Sequence, residues 1–162
     1  GELMEQALVT TWFLEEVQTI ASTGKGIVTS GSPRSLIEVE AELPVFERFY
    51  GKKNITSFYI TLSETESVKR NSGRRVCQAK RHPIPNFPEY ANVTTCPQDG
   101  SALVTRDLDK PEIIQERYRI YLRDTLPVLA HLVEHGYPPI EINGEQPIEK
   151  VFADIKAALN TP

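Results

Sequence analysis

The order of predicted helices and strands is the feature that most restricts how this chain of 162 residues folds. Helical and strand patterns alternate along it, in the order α-β-α-β-α, then a long insert, then α-β-α. The predicted strands are Gly26–Ser30, the stretch NITSFYITL (54–62) and Pro139–Asn143. Strands that alternate with helices indicate an α/β fold with a parallel sheet. Three strands are few for such a sheet, which helices cover on both faces.

Apolar residues at helical spacing predict the first two helices and the last one. The first covers residues 2–20, the second covers residues 35–50 with a break before Pro44, and the last begins at Pro147. One face of the first helix consists of Leu3, Ala7, Leu8 and Trp12. The inner face of the last helix consists of Ile148, Val151, Phe152 and Ile155. Such faces are typical of helices that pack on one side.

Capping residues predict two further helices, which lie between the second helix and the last one. Ser63 caps the helix SETESVKR, and Glu66 completes a capping box three residues later. The longest helix runs from its cap, Asp109, to Gly136, and Pro127 is expected to kink it. Its inner stripe consists of Ile114, Tyr118, Tyr121 and Thr125.

The insert, residues 75–107, keeps neither periodicity for long and contains Pro83, Pro85 and Pro88. We interpret it as a small inserted subdomain, because a loop of this length needs a function or an internal staple. Basic residues crowd around its start, beside a helix end and a glycine, which indicates an anion site as well as a solvated face. They are Lys69, Arg70, Arg74, Arg75, Lys80 and Arg81.

Composition argues against several classes of protein. A net charge of −4 does not attract nucleic acid, and no apolar run approaches the length of a membrane span. The first residues, GELMEQALVTTWFLEE, carry acids where a signal peptide has basic residues. Two cysteines are too few for a secreted disulfide scaffold, so a cytoplasmic protein is the expectation.

Motifs in a fixed order carry a resemblance to a known family. They are GSPRS (31–35), RNSGRRVC (70–77), CPQDGSALVTRDLD (96–109), ERYRIYLRDTLPV (116–128) and INGEQPIEKV (142–151). Each is weak alone, but together they make the chain resemble the adenylate kinase family of nucleoside monophosphate kinases over nearly its whole length. The resemblance implies a P-loop-kinase-like parallel sheet with helices on both faces. It also implies a CORE of residues 1–74 and 108–162, with a remnant of the acceptor-binding region at about 1–25, and a mobile LID at 75–107.

The resemblance implies reversible phosphoryl transfer from ATP, with Mg²⁺, to AMP or a related nucleoside monophosphate. The protein supplies mainly positioning and positive charge in such a reaction, and guanidinium groups bind phosphate bidentately. By resemblance the catalytic residues are Arg34, Arg74, Arg106 and Arg117. The ATP-binding residues by resemblance are Arg70, which stacks on the adenine, Arg74 and Gln146. The acceptor-binding residues by resemblance are Gly31, Arg34, Glu38, Arg106 and Arg117.

The largest departure from the family is an absence. The family begins with a strand and a Gly-x-x-Gly-x-Gly-Lys phosphate loop, and the 162 residues contain no such loop. The fold is therefore expected to be incomplete at the N-terminus, and the chain alone is expected to be inactive. Three hypotheses stay open: an incomplete kinase, a non-catalytic nucleotide-binding or interaction relative, and a subunit that takes the missing segment from a partner chain. A complete form is expected to be a monomer.

Smaller departures bear on metal and substrate. Ser30 stands where the family has an Asp that organises the Mg²⁺ shell, and Ser32 replaces a Phe in the same turn. Glu38 stands where the family has a Gln that reads the acceptor base, and a carboxylate accepts hydrogen bonds but cannot donate them. Metal handling and the acceptor base therefore do not follow from the resemblance.

Both cysteines lie in the predicted LID, where three arrangements are open. Zinc-bearing members of the family have four ligands there, and Cys77, Cys96 and Asp99 match three of these positions. A structural Zn²⁺ takes four ligands, and His82 is the candidate for the fourth because Lys80 replaces a cysteine. Members without zinc use hydrogen bonds among polar residues, which Lys80 and Asp99 would supply here. A disulfide between Cys77 and Cys96 is the third arrangement.

Overall fold

The structure, a computed structural model, describes residues 6–159. The helices are α1 (Gln6–Ser22), α2 (Leu36–Tyr50), α3 (Glu64–Ser72), α4 (Pro111–Ile120), α5 (Leu126–Glu134) and α6 (Ile148–Leu159). The strands are β1 (Phe58–Thr61), β2 (Arg75–Cys77), β3 (Pro83–Ile84), β4 (Leu103–Val104) and β5 (Ile140–Asn143). None of the helices in the described range combines the length and apolar content needed to cross a bilayer.

The described residues form two compact units. The first takes in the chain up to Tyr59, together with Tyr121–Ile142 and the segment from Asp154 onward. The second takes in Ile60–Ile120 and Asn143–Ala153.

Strands β1 and β5 form a parallel pair. Ile140 N–H donates to the Ser57 carbonyl at 2.9 Å, and Gly144 N–H donates to the Thr61 carbonyl at 2.8 Å. Residue numbers rise in the same direction along both strands, as parallel pairing requires. A mixed α/β fold with parallel strands is therefore confirmed, and two of the predicted strands are present.

The third predicted strand, Gly26–Ser30, is wrong. This stretch is irregular, and the Val28 side chain is 97 % exposed. A strand needs a neighbour for its backbone N–H and C=O groups, and within the described residues none pairs with this stretch. Its apolar residues matched the pattern of a strand, but the pattern carries no information about the partner.

The insert at 75–107 contains an antiparallel sheet in the order β3-β2-β4. Val76 of the central strand lies opposite Pro83 on one side and Val104 on the other. Val76 and Cys77 are buried, so this short sheet has a small core of its own. That the insert moves as a LID stays a prediction.

The core of the first unit lies between α2 and α5. Val39 and Leu43 of α2 are buried with Val128 and Leu132 of α5 and with Tyr137. These apolar contacts fix the two helices against each other, and each buried aliphatic side chain contributes about 1.5–3 kcal/mol.

The break expected before Pro44 is wrong, since α2 continues through it to Tyr50. A proline removes one backbone hydrogen bond from a helix and strains the preceding turn. Val39 and Leu43, buried just before Pro44, hold the helix in place through packing. Burial therefore outweighs the local cost of the proline.

The apolar face predicted for α1 is not the face that packs. Of that face, Ala7, Leu8 and Trp12 are exposed, Trp12 by 51 %, while Leu3 lies outside the described residues. Val17 is fully buried instead. The helix is apolar on several sides, so its sequence alone does not identify the side that meets α2.

The last helix begins as predicted, because the Pro147 carbonyl accepts the first helical hydrogen bonds. Its predicted inner face is only partly correct. Val151 and Ile155 are half-buried, whereas Ile148 and Phe152 are 44 % and 61 % exposed.

The capping box predicted at Ser63 is half formed. The Ser63 hydroxyl accepts the Glu66 N–H at 3.3 Å, as expected. The Glu66 carboxylate does not return to Ser63 but binds Lys69 and Arg70. Glu145 takes its place and accepts the Ser63 N–H at 3.1 Å. A residue far along the chain thus completes the cap of α3.

The predicted cap of the longest helix, Asp109, is also wrong. Asp109 ends a short 3₁₀ turn, and its carboxylate binds Arg74 instead of the helix. The Lys110 carbonyl accepts the Ile114 N–H, which starts α4 one residue later. A strong long-range ion pair here displaces a local capping contact.

The kink expected at Pro127 takes the form of a π-helical turn, Tyr121–Thr125, between α4 and α5. Proline cannot donate the regular helical hydrogen bond, and a wider turn precedes it. Gly136 ends α5 as predicted, at φ 85°. The predicted inner stripe is buried or half-buried throughout: Ile114, Tyr118, Tyr121 and Thr125.

Candidate functional site

The second unit holds a buried ion pair between Arg74 and Asp109. Arg74 Nη2 lies 2.6 Å from Asp109 Oδ1, and Arg74 Nε lies 3.0 Å from Oδ2, so the contact is bidentate. The Asp109 side chain is only 2 % exposed. A two-point contact of this kind fixes both the position and the plane of the Arg74 guanidinium.

Two further arginines face the same carboxylate through their charges. Burial alone would raise the pKa of Asp109, but the hydrogen bond and charge of Arg74 and the charges of Arg106 and Arg117 lower it overall. Arg106 is half-buried and Arg117 is exposed on α4. Among the described residues, no carboxylate lies within ion-pair distance of Arg106 or Arg117. Asp109 pairs with Arg74 and is the carboxylate whose pKa the charges of all three arginines lower. The positive charge of Arg106 and Arg117 is therefore left for an anion.

A cleft of about 350 Å³ opens beside this cluster. Its lining consists of Ser72, Thr105, Arg106, Asp107, Asp109, Lys110 and Pro111. The Arg106 and Lys110 side chains suit phosphate oxygens, and the Asp107 carboxylate, 3.2 Å from Lys110 Nζ, offsets part of this positive charge.

Arg70 of α3 is held on three sides. Its Nε lies 2.7 Å from Glu66 Oε1, and its Nη1 donates to the Gly144 carbonyl at 2.8 Å. The Phe87 ring lies against the guanidinium, 4.8 Å from Cζ to the ring centre. A planar guanidinium that already stacks on an aromatic ring is suited to stacking on a base.

The loop after β5 contacts Arg70 through the Gly144 carbonyl and carries Gln146. Gly144 is buried in this loop, and a Cβ there would lie 2.5 Å from the Thr61 carbonyl oxygen. Asn143 folds the loop further, because its side-chain oxygen accepts the Glu145 N–H at 2.9 Å. Gln146 follows two residues after Gly144 and is half-buried. The close backbone approach explains why the position is a glycine.

The sequence-predicted acceptor residues Gly31, Arg34 and Glu38 lie together in the first unit. The Arg34 guanidinium folds over Gly31, where a Cβ would lie 2.5 Å from Nη2, and Gly31 has φ +84°. The Glu38 carboxylate accepts the Arg34 backbone N–H. Within the described residues, no carboxylate pairs with the Arg34 guanidinium, and Arg34 is exposed. Glu38 therefore supports the turn through the Arg34 backbone N–H.

The two free cysteines of the insert lie in one cluster with His82 and Asp99. His82 Nδ1 lies 3.4 Å from both Cys96 Sγ and Asp99 Oδ2, and Cys77 Sγ lies 3.4 Å from Asp99 Oδ2. All four ligand atoms lie within 4.8 Å of one another. The disulfide is therefore not formed, and Asp99 pairs with His82 instead of Lys80.

Backbone N–H groups surround the Cys77 sulfur. The Lys80 and His82 N–H groups each donate to Cys77 Sγ at 3.3 Å. Burial by itself raises the pKa of the Cys77 thiol, but these bonds and one from Ser101 lower it overall. Burial raises the pKa of the Cys96 thiol. Hydrogen bonds from Ser101 lower the pKa of Asp99.

The sequence did not predict the roles of several side chains at these sites. The anchoring role of Asp109 and the Phe87 ring beside Arg70 are long-range contacts, which periodicity does not predict. A buried carboxyl, Glu42, lies at an α2 position that reads as an ordinary polar residue. The one available signal was Glu42 in VEAEL (39–43), directly before Leu43, where an apolar inner position would be expected.

No family model matches the chain. Individual curated relatives do match it. The chain is 30 % identical to an adenylate kinase of Oceanobacillus iheyensis over 154 residues, which cover 93 % of this chain and 70 % of the relative. It is 34 % identical to an adenylate kinase of Methanocella arvoryzae over 138 residues, covering 83 % and 62 %.

A third relative is an adenylate kinase of Archaeoglobus fulgidus, 33 % identical over 162 residues that cover 98 % of this chain and 72 % of the relative. The matched region therefore spans 62–72 % of the length of these relatives.

Proposed function

The chain belongs to the adenylate kinase family, and we propose that it transfers a phosphoryl group reversibly between ATP and a nucleoside monophosphate. Family membership supports a nucleoside monophosphate kinase function. We propose AMP or a related nucleoside monophosphate as the acceptor.

The observation that carries the proposal is the excess of guanidinium charge around Asp109. Arg74 is fixed by its bidentate contact, while Arg106 and Arg117 keep their charge for a ligand. Phosphoryl transfer spreads negative charge over oxygens, and preorganised guanidinium groups stabilise it without having to reorient. We propose that these three arginines bind the phosphates of the nucleotides.

We propose that Arg70 and the backbone around Gln146 bind the adenine of ATP. The stacked geometry of Arg70 and its bond to the Gly144 carbonyl support this assignment. Arg34, exposed beside Gly31, would bind the phosphate of the acceptor, with Glu38 in a supporting role.

Mg²⁺ is part of the proposed reaction as a companion of ATP. When bound to the phosphate oxygens it neutralises their charge and orients them. The thiols of Cys77 and Cys96 do not suit Mg²⁺, which is usually bound through one or two carboxylates together with substrate phosphates.

We propose that residues 75–107 form the LID and that a structural Zn²⁺ holds it. Cys77, His82, Cys96 and Asp99 provide the four ligands that a tetrahedral site takes, with their ligand atoms already close together. Metal analysis of the purified protein checks this: one Zn²⁺ per chain is expected, and none in a Cys96→Ser variant. A metal-free wild type that keeps its fold would favour hydrogen bonds among these polar groups.

The kinase proposal is tested on protein expressed from the complete natural gene, assayed with ATP, Mg²⁺ and each nucleoside monophosphate. Arg106→Ala and Arg117→Ala are each expected to lower kcat/KM about a hundredfold, as loss of one preorganised donor does. Arg119→Ala is the matched control, because Arg119 lies on the same helix as Arg117, is exposed and pairs with Glu116. Equal losses in all three variants would contradict the proposed roles.

The alternative function is nucleotide binding without turnover. We propose that the 162 residues, which contain no Gly-x-x-Gly-x-Gly-Lys loop, are inactive by themselves. Calorimetry that detects ATP binding to the natural protein, together with no transfer to any monophosphate, would support this alternative. Co-purification of a chain that carries such a loop would support a shared site.

A further inference from the structure

Glu42 is a buried carboxyl that the proposed reaction does not use. Its side chain is among the most fully buried in the described structure, at 1 % exposure. The Ser32 hydroxyl donates to its Oε1 at 2.5 Å, and its Oε2 has no hydrogen-bond partner among the described groups. A carboxyl in such a place is normally selected against, because an unsatisfied buried oxygen is unfavourable.

Ser32 belongs to the turn that carries Arg34. We define the acceptor loop as residues 29–35. The Thr29 hydroxyl donates to the Ser32 carbonyl at 3.3 Å, and the Thr125 hydroxyl donates to the Arg34 carbonyl at 2.8 Å. The loop is therefore held by side chains from its own N-terminal end and from the π-helical turn.

Helix α2 holds the same loop with two acids one helical turn apart. Glu38 accepts the Arg34 backbone N–H, and Glu42 accepts the Ser32 hydroxyl. Residues four apart lie on one face of a helix, so both carboxyl groups reach the loop from the same side. Glu38 thus holds the backbone after Pro33, and Glu42 holds the side chain of the residue before it.

We propose that Glu42 is a positioning residue for the acceptor loop. Its carboxyl holds Ser32, and through Ser32 it sets the backbone conformation from which Arg34 binds an acceptor phosphate. This inference rests on the proposed function, since it takes Arg34 to be the acceptor-binding arginine. It adds a residue that does not touch the substrate and acts only through the loop.

The kinetic test separates this role from one in stability. Glu42→Leu removes the hydrogen bond and the buried polar group together, so it is expected to fold at least as well as the wild type. The KM for the monophosphate is expected to rise about tenfold, the usual effect of losing one strong hydrogen bond. The KM for ATP and kcat are expected to stay within about threefold, because Arg34 does not contact the donor in this proposal.

Matched variants sharpen the test. Glu42→Gln keeps an amide oxygen that can accept the hydrogen bond from the Ser32 hydroxyl, and it is expected to keep the wild-type KM for the monophosphate. Ser32→Ala is expected to match Glu42→Leu, and the double variant to be no worse than either, because all three lose the same bond. Glu40→Gln, at an exposed acid on the same helix, is expected to change nothing.

A second measurement does not depend on turnover. Hydrogen exchange of the amides in residues 31–35 is expected to be about tenfold faster in Glu42→Leu and Ser32→Ala, and unchanged in Glu42→Gln and Glu40→Gln. Unchanged exchange in all variants, or an equal rise of the KM values for both substrates, would overturn the proposal. If the protein transfers no phosphoryl group, the kinase proposal fails while the exchange rates still decide the role of Glu42.

Discussion

Asp109 and Glu42 are both buried carboxyl groups, one in each unit, and their pKa values shift in opposite directions although burial raises both. Asp109 has Arg74 at 2.6 Å, and its pKa falls below the ordinary value despite desolvation. Among the described residues Glu42 has only the Ser32 hydroxyl as a hydrogen-bond partner, and desolvation, with a smaller effect of the Glu38 charge, raises its pKa to about 7. The partner, and not the degree of burial, decides the sign of the shift.

The comparison extends to what each group does for its site. Asp109 fixes an arginine through full charge and a bidentate geometry. Glu42 fixes a loop through one hydrogen bond and leaves Oε2 unsatisfied. The first arrangement is strong and insensitive to pH near neutrality, while the second is weaker and titrates there.

Asp109→Asn is expected to have the largest effect on stability. It removes the negative charge that Arg74 pairs with, and since the Arg74 side chain is 25 % exposed, the cost is expected at the lower end of the range of about 3–5 kcal/mol for breaking a buried pair. The free energy of unfolding in urea, followed by circular dichroism at pH 7, measures this. Asp107→Asn is the control, since that side chain is 94 % exposed, and no measurable change is expected. Similar losses in both variants would mean that burial of the pair is unimportant.

The pH dependence of stability is the second prediction, and its sign differs for the two groups. Between pH 4.5 and about 7 the folded chain keeps a proton on Glu42 that the unfolded chain has released, so this group makes stability fall as the pH rises. The full penalty, about 3 kcal/mol, is present above pH 7. Glu42→Gln is expected to remove this slope and to raise the free energy of unfolding at pH 8.

Asp109 has the opposite sign. Its stabilisation is present above its unfolded pKa of 3.8 and is lost as the pH falls through the lower folded value. Urea unfolding of the wild type and of Glu42→Gln at pH 5, 6, 7 and 8 checks the statement on Glu42, and unfolding of the wild type and of Asp109→Asn below pH 3.8 checks the statement on Asp109. A wild-type curve that is flat between pH 5 and pH 8, and parallel to that of Glu42→Gln, would contradict the role of Glu42.

The smallest effects are expected where the two units use the same local contact. Ser35 caps α2 and Ser63 caps α3, each accepting an N–H at 3.3 Å from the residue three positions later. Ser35→Ala and Ser63→Ala are each expected to lower the free energy of unfolding by about 1 kcal/mol. Unequal losses would show that the units differ in more than their buried carboxyl groups.

Much of the fold could be predicted because its signals are local. The cap at Ser63, the end of α5 at Gly136 and the start of α6 at Pro147 all follow from residues that lie within one turn of each other. Gly26–Ser30 and Pro44 were predicted wrongly for a shared reason. Their structure depends on whether another part of the chain packs on them, which no local pattern reports.

The candidate site divides in the same way. The family resemblance of the motifs indicated Arg34, Arg74 and Arg106 as binding residues, which stays a prediction. Asp109 and Glu42 could not be identified as supporting carboxyl groups, since each lies near its partner only after folding. Motifs thus indicate candidate ligand-binding residues but not the residues that position them.

The close approach at Gly144 has a consequence for how this chain tolerates change. Every other amino acid carries a Cβ, which at this position would meet the Thr61 carbonyl oxygen at 2.5 Å. Gly26, by contrast, has nothing within 4 Å of the same atom. In a library of functional variants we therefore expect substitutions at Gly26 and none at Gly144. The absence of substitutions would identify the close backbone contact of the loop beside Arg70 from sequences alone.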